Sequence, residues 1–274
     1  MLVLKFRFMD RTGILVIGHS RPELLKNTLE SLRRQEVLDR AHVWLDGHQG
    51  FADLIEPVYQ CRSVARHFAP VEVVAYAGRV GIEKLMLDAL RNLCDLYSRL
   101  IILEDDCFPT RSAVRVFEEG LDCIEGDPSV YSVYGHHFLL PSEGETLTRF
   151  QGWGWATTSA KLKPVLEQAR ECFSWSEPRY LSWVEGLLTP EVRARLEVTP
   201  GRNPVETIRS FYCWDGCTCL LTASRGLTHR KTSRRVVYNC GMGDRSGHFR
   251  LEERFRLAPF NMIDPSEVWR VWED

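Results

Sequence analysis

The stretch Leu100-Ile101-Ile102-Leu103-Glu104-Asp105-Asp106-Cys107 sets four apolar residues directly before three consecutive acids. A short apolar run with β-branched members, bounded by polar residues, reads as a buried strand rather than a helix. The acids then leave its carboxyl end. Three adjacent carboxylates repel one another unless a cation neutralises them. A hard divalent ion such as Mg²⁺ or Mn²⁺ does so by taking one or two carboxylates plus phosphate oxygens. The competing reading is a solvated acidic turn, or the N-cap of a helix near Ser112.

Working outward, the same pattern recurs upstream. Gly13-Ile14-Leu15-Val16-Ile17, His42-Val43-Trp44-Leu45 and Val71-Glu72-Val73-Val74-Ala75 each read as strands. With strand ends at 17, 45, 75 and 103, the steps are 28, 30 and 28 residues, the length of a βα unit. Helix-period segments fill the gaps. Pro22 suits a first helical position, followed by an apolar face at Leu24, Leu25, Thr28, Leu29 and Leu32. Ile82, Leu85, Met86, Ala89, Leu90 and Leu93 make a second such face. Repeated βα units predict an α/β fold with an open, mostly parallel central sheet flanked by helices. Ligands bind such sheets beyond the carboxyl ends of the strands. The segments expected there are Gly18–Arg21, Asp46-Gly47, Gly78–Gly81 and Glu104–Asp106.

The pattern changes beyond residue 130. Val130–Tyr134 reads as one more strand, Pro141–Thr148 as a polar loop, and Lys161 to Cys172 as a helix. The remainder is irregular and aromatic-rich, with Trp175, Trp183, Trp214, Trp269 and Trp272. One compact unit over 1–274 is expected, with a nucleotide-binding half to about 130 and an acceptor-binding half over 131–274.

Composition narrows the functional classes. The 274 residues carry 35 Lys+Arg against 37 Asp+Glu, a formal net charge of −2, which argues against a dedicated nucleic-acid binder. No apolar stretch approaches the ~20 residues that span a bilayer. The charges at Lys5 and Arg7 interrupt the apolar start too early for a signal-peptide core. Nine scattered cysteines read as reduced thiols of a cytoplasmic protein rather than a disulfide framework. The group Cys213, Cys217 and Cys219 lacks the paired C-x2-C knuckles of a structural zinc site.

The hydrophobic strand running into Glu-Asp-Asp resembles the acidic metal motif of GT-A-fold nucleotide-sugar glycosyltransferases. The form is that of the N-acetylglucosaminyltransferase I-like enzymes and their bacterial relatives. Ile14–Arg21 is similar to the family's first strand and nucleotide-contacting loop, and Asp46 to the acid that holds base or ribose. Gly152-Trp153-Gly154-Trp155-Ala156-Thr157 is similar to the Trp-Gly-Trp-Ala-Thr segment of bacterial members. Trp214-Asp215 resembles the Trp-Asp whose Asp is the catalytic base. Asn239-Cys240-Gly241-Met242-Gly243, with Ser246-Gly247-His248, resembles a late Gly-rich loop that closes over a pyrophosphate. Gly78-Arg79-Val80-Gly81-Ile82-Glu83-Lys84 departs from the His or Gly-x-Gly-Lys of some relatives.

The resemblance implies a site by position. Asp106 would coordinate Mn²⁺ or Mg²⁺, with His248 as a metal or phosphate contact. Asp105 would contact ribose, and Glu104 the ribose or donor sugar. Arg21 and Asp46 would hold the nucleotide of a UDP-sugar, under Gly241 and Gly243. The residues also make chemical sense without the resemblance. Glycosyl transfer needs the leaving diphosphate's charge stabilised and a carboxylate to take the acceptor's proton. Asp215 fits that base, in a single displacement with inversion, and a helix N-cap is its competing reading.

Other features carry less. Arg225, His229, Arg230, Lys231, Arg234 and Arg235 form the most basic stretch, read as a solvated face that could also meet a pyrophosphate, an anionic acceptor or the inner membrane surface. Trp153 and Trp155 could stack on a sugar or pack in the core. His19, His136 and His137 have no supporting pattern. The first strand is not followed by G-x-G-x-x-G, which counts against a dinucleotide-dependent oxidoreductase, and no P-loop is present. A sugar-phosphate nucleotidyltransferase and a non-catalytic sugar- or nucleotide-binding module stay open as alternatives.

Overall fold

The computed structural model describes residues 12–139, 145–197, 204–243 and 252–274. Strand β1 (Thr12–Gly18) is buried along its whole length and pairs in parallel with β2 (Ala41–Leu45) after helix α1 (Pro22–Arg34). Pro22 opens α1, whose buried face is Leu24, Leu25, Thr28, Leu29, Ser31 and Leu32. Helix α2 (Ala52–Phe68) leads to β3 (Glu72–Ala75), a partly exposed edge strand beside β2. Helix α3 (Ile82–Cys94) leads to β4 (Arg99–Glu104), which returns to the other side of β1. These four strands are parallel, and both faces of the central pair are covered, as the unbroken apolar runs require.

The chain then changes direction. A short β5 (Cys107–Pro109) leaves the acids and precedes α4 (Ala113–Ile124) and β6 (Val130–Tyr134). Segment Pro141–Thr148, read as a polar loop, lies partly outside the described residues and contains the two-residue β7 (Thr146–Leu147). Trp155–Thr158, which sequence reasoning treats only as a motif, forms strand β8. It runs antiparallel between β4 and β6. Thr158 ends β8 and caps α5 (Ser159–Phe173), its hydroxyl accepting from Lys161 N.

Three shorter helices follow, α6 (Glu177–Leu187), α7 (Pro190–Arg195) and α8 (Pro204–Arg209), and then the almost wholly buried α9 (Trp214–Ser224). β9 (Thr228–Lys231) joins β6 in parallel, and β10 (Val237–Asn239) pairs antiparallel with β5 in a separate two-stranded ribbon. The eight-stranded sheet has the order β3-β2-β1-β4-β8-β6-β9-β7. Only β8 and β7 oppose the rest, so the sheet is mostly parallel. One core cluster joins Leu15, Leu85 and Ile102 of the first half to Leu166, Trp214 and Leu220 of the second.

No helix among the described residues is long and apolar enough to cross a membrane. All nine cysteines are free thiols; Cys217 and Cys219 are buried, and Cys213 is half-buried.

The second half carries histidines held neutral by burial. His229 is fully buried, hydrogen bonded to Ser132 Oγ at 2.8 Å, and burial pushes it down to about 3. The unfolded chain binds a proton there near pH 6.5 and the folded one does not. Stability from this group is therefore complete at pH 7.5 and is lost as pH falls below 6.5. At pH 5 the loss is about 2 kcal/mol, or about 5 °C in melting temperature. His229→Gln removes this increment, so the drop between pH 7.5 and 5 should shrink by that amount in scanning calorimetry.

Candidate active site

The carboxyl ends of β1, β2 and β4 open onto a cavity of about 520 Å³. Its lining includes Arg21, Asp46, Glu104, Asp105, Asp106, Asp215 and Gly241, seven of the nine residues singled out from sequence. Gly243 lies in an adjoining cleft that also shares Arg21. His248 falls outside the described residues.

The acids are organised by Arg21, the first residue after the β1 loop and immediately before Pro22 of α1. Its Nη1 donates to Asp106 Oδ2 at 2.7 Å, and its Nη2 donates to Asp105 Oδ1. One guanidinium thus forks across two carboxylates that are nearly buried. Burial works against the Arg21 charge, but Asp105 and Asp106 outweigh it and raise its proton affinity. Burial, reinforced by the Asp106 charge, pushes Glu104 up to about 8. Burial also lifts Asp105 to about 6, against the pull of Arg21. A single cation leaves this cluster short of positive charge.

Asp106 is held from the opposite side by the ribbon. Cys240 N donates to the Asp106 carbonyl at 2.8 Å, and Asn239 Oδ1 accepts from Gly241 N at 2.9 Å. Position 241 must be glycine here, because a Cβ would overlap Asp106 Oδ2. The Gly-rich motif therefore serves to let backbone approach a carboxylate.

Asp46 takes a part that sequence did not suggest. Its Oδ1 accepts from Gly47 N at 2.8 Å and Val80 N at 2.7 Å, and its Oδ2 accepts from Gly81 N at 3.1 Å. Both oxygens are engaged in fixing the turn into α3, which sets Arg79 on the cavity wall. His19, unremarkable in sequence, bridges neighbouring strand ends: Nε2 donates to Gly47 O at 3.0 Å, and Nδ1 accepts from Ser20 Oγ at 3.2 Å. Burial lowers its proton affinity, in keeping with this neutral tautomer. The only sequence signal for either role was position at a strand end.

Asp215 sits in the first turn of α9, exposed to the cavity. The N-cap is Cys213, so Asp215 does not cap the helix; its Oδ1 accepts from the adjacent Gly216 N at 2.9 Å, and the Cys213 thiol also bonds to its carboxylate. The preceding Trp214 anchors this turn by stacking on Trp155, 6.4 Å between centroids at 22°. Trp155 is buried, whereas Trp153 lines the cavity. Between them Gly154 adopts φ +70°, with Val237 Cγ1 2.7 Å from where a Cβ would stand, so only glycine makes this turn. The basic stretch 225–235 lies elsewhere: Arg225 bonds to Gln168, Arg234 to Ser112, and Arg235 to Asn261 O.

The residues present fit a divalent cation of the kind shared with phosphates. Asp105 Oδ2 is buried with no hydrogen-bond partner among the described residues, and Asp106 shows a carboxylate to the cavity. No closed cage of three His, Cys, Asp or Glu side chains exists among the described residues. An ion here would take one or two carboxylates and complete its shell from phosphate and water.

No protein-family model and no curated protein matches this chain. Solved structures do. The mannosyltransferase PcManGT from Pyrobaculum calidifontis, in complex with GDP-Man and Mn²⁺, is 14% identical over 80% of this chain and 74% of its own, with a TM-score of 0.42. S. aureus TarS 1–349 is 11% identical over 82% and 60%, with a TM-score of 0.45. A cytidylyltransferase from Leptospira borgpetersenii is 13% identical over 57% and 63%, with a TM-score of 0.38. This chain spans less than two thirds of the last two. The neighbours thus include glycosyl- and nucleotidyltransferases, at identities too low to carry a function across.

Proposed function

We propose that this protein is a glycosyltransferase of the GT-A type. It would move a sugar from a nucleoside-diphosphate donor, a UDP-sugar by the resemblance of its motifs, to a hydroxyl of an acceptor. The observation that supports this most is the convergence on one cavity of the Glu104–Asp106 cluster, the cation Arg21 and the separate exposed carboxylate Asp215. The acids and Arg21 lie where a metal–diphosphate group can be held, and Asp215 supplies a solvent-facing carboxylate as base.

In this reading Asp106 would hold Mn²⁺ or Mg²⁺, with His248 a further candidate ligand. Asp105, expected from the resemblance to contact ribose, joins the candidates because its Oδ2 is buried without a hydrogen-bond partner among the described residues, and Glu104 would face ribose or donor sugar. The ion supplies a Lewis acid that stabilises charge on the leaving diphosphate. Arg21 and Arg79 add cationic donors to the same oxygens. Asp46 keeps the turn at Val80 and Gly81 ready to receive the nucleotide. Asp215 takes the proton of the attacking hydroxyl as the new bond forms opposite the leaving group, inverting the anomeric carbon.

The test is a thermal-shift panel of uridine, guanosine and cytidine diphosphates with Mn²⁺, Mg²⁺ or EDTA. At least one diphosphate should raise the melting temperature more with metal than with EDTA, and Asp106→Asn should remove the metal-dependent part. If no nucleotide stabilises the protein with either ion, the proposal fails. Release of free nucleoside diphosphate, rather than pyrophosphate, would separate glycosyl from nucleotidyl transfer.

A further inference from the structure

A second cleft of about 330 Å³ opens beside the cavity and shares two of its lining residues, Trp153 and Asp215. Its wall is aromatic. Phe138 lies 4.9 Å from Trp153 at 30° between planes, and Phe260 lies 6.5 Å from Trp153, again at 30°. These rings come from segments more than a hundred residues apart, and a set of hydrogen bonds holds the segments together. His136 Nε2 donates to Phe260 O at 2.8 Å, Leu139 N to Pro259 O at 2.9 Å, and Asn261 Nδ2 to His137 O at 2.9 Å. The wall is thus built before anything binds. The same cleft is lined by polar groups as well: the cation Arg149, the amide Gln151 and the carboxylates Glu197 and Asp215.

We propose that this cleft is the acceptor subsite and that it takes an uncharged pyranose ring. The inference rests on the transferase reading above. A pyranose has one face of C–H groups and a rim of hydroxyls, which matches a cleft lined by aromatic rings together with mixed donors and acceptors. One cation, Arg149, stands against two carboxylates, Glu197 and Asp215, so the lining has no excess of positive charge with which to select an anion. The shared Asp215 decides the direction of approach, because a hydroxyl of a ring seated here borders the carboxylate that must deprotonate it. The cleft on the other flank, lined by Lys84, Asp88, Arg170 and Tyr212, meets the main cavity through Glu83 and lacks Asp215.

The test uses saturation-transfer NMR on the whole chain with a panel of methyl glycosides: β-glucoside, β-galactoside, α-mannoside and N-acetyl-β-glucosaminide. At least one should receive saturation, strongest on the C–H protons of one ring face. Loss of one aromatic contact should weaken binding about tenfold, as expected for ~1.4 kcal/mol of stacking. The signal should therefore collapse in Phe260→Ala and in the milder Phe138→Leu, and persist in Tyr212→Ala on the far flank. Absence of saturation for every glycoside, or equal signals in all variants, overturns the proposal. The nucleoside-diphosphate thermal shift, run on the same samples, verifies folding and keeps the two readings apart. A nucleotide shift without glycoside binding sinks the subsite alone. Glycoside binding that depends on Phe260, without any nucleotide shift, keeps a pyranose site in this cleft but sinks the transferase and, with it, the acceptor role.

Discussion

Asp215→Asn should abolish transfer while leaving the fold and nucleotide binding intact. Asp215 is solvent-facing, and its carboxylate bonds only to near neighbours among the described residues, accepting from the Gly216 N–H and from the Cys213 thiol. An asparagine oxygen can accept those bonds equally well. The turn that carries it is held by the Trp214–Trp155 stack rather than by the carboxylate. What the substitution removes is basicity alone, and a positioned general base contributes about 10²–10⁴-fold to rate. Single-turnover release of nucleoside diphosphate in the presence of acceptor should therefore fall at least ~100-fold, in line with that range. The thermal shift given by the nucleotide should be unchanged. Near-normal turnover would remove Asp215 from the mechanism and leave the proton to another group.

Arg21→Ala should be the most destabilising single change near the cavity. Arg21 is the only cation bonded to Asp105 and Asp106 among the described residues, and both carboxylates are nearly buried. Removing one partner of a buried pair leaves uncompensated charge, at a cost of about 3–5 kcal/mol. For a chain of this size that is a fall of about 10 °C in melting temperature. Arg21→Lys restores the charge but not the planar fork, so it should recover only part of the loss. Millimolar Mg²⁺ should stabilise Arg21→Ala more than the parent, because the ion then meets two carboxylates without a competing guanidinium. Equal melting temperatures for parent and Arg21→Ala would mean that the fork contributes nothing to stability.

The parallel half of the sheet was legible because its central strands β1 and β4 carry unbroken apolar runs of Ile, Leu and Val, covered on both faces. Such runs state their own boundaries, and their spacing states their connection. The second half was harder to read for physical reasons. β8 is only four residues long and follows Gly154 in a left-handed conformation, so it carries no alternating pattern. The first half had one such case of its own: helix α2 contains Pro57 and buries only Val58, Cys61 and Ala65, which leaves a weak apolar stripe. Within the cavity, acids at strand ends announced themselves. The roles of groups that serve the backbone did not: His19 binds a carbonyl, and Asp46 spends both oxygens on backbone N–H groups. The aromatic wall was invisible because Phe138 and Phe260 meet only through tertiary contacts, and neither has a local pattern.

The ribbon of β5 and β10 has a consequence for how the protein comes into being. Residues 107–109 follow the acid triad at once, yet their partner strand arrives only at Val237–Asn239. Behind that ribbon, Phe108 packs with Leu24, Cys240 and Val268, and Arg111 N donates to Trp272 O at 2.7 Å. A nascent chain emerging from the ribosome can assemble the first four strands early. It cannot seat Asp106 against Gly241 until more than a hundred further residues have been synthesised. During that interval the acids project from an incomplete edge. A translation product cut short before β10 should therefore retain much of its sheet and lack the backbone that holds Asp106, which makes synthesis of the ribbon's second strand the step that completes the proposed site.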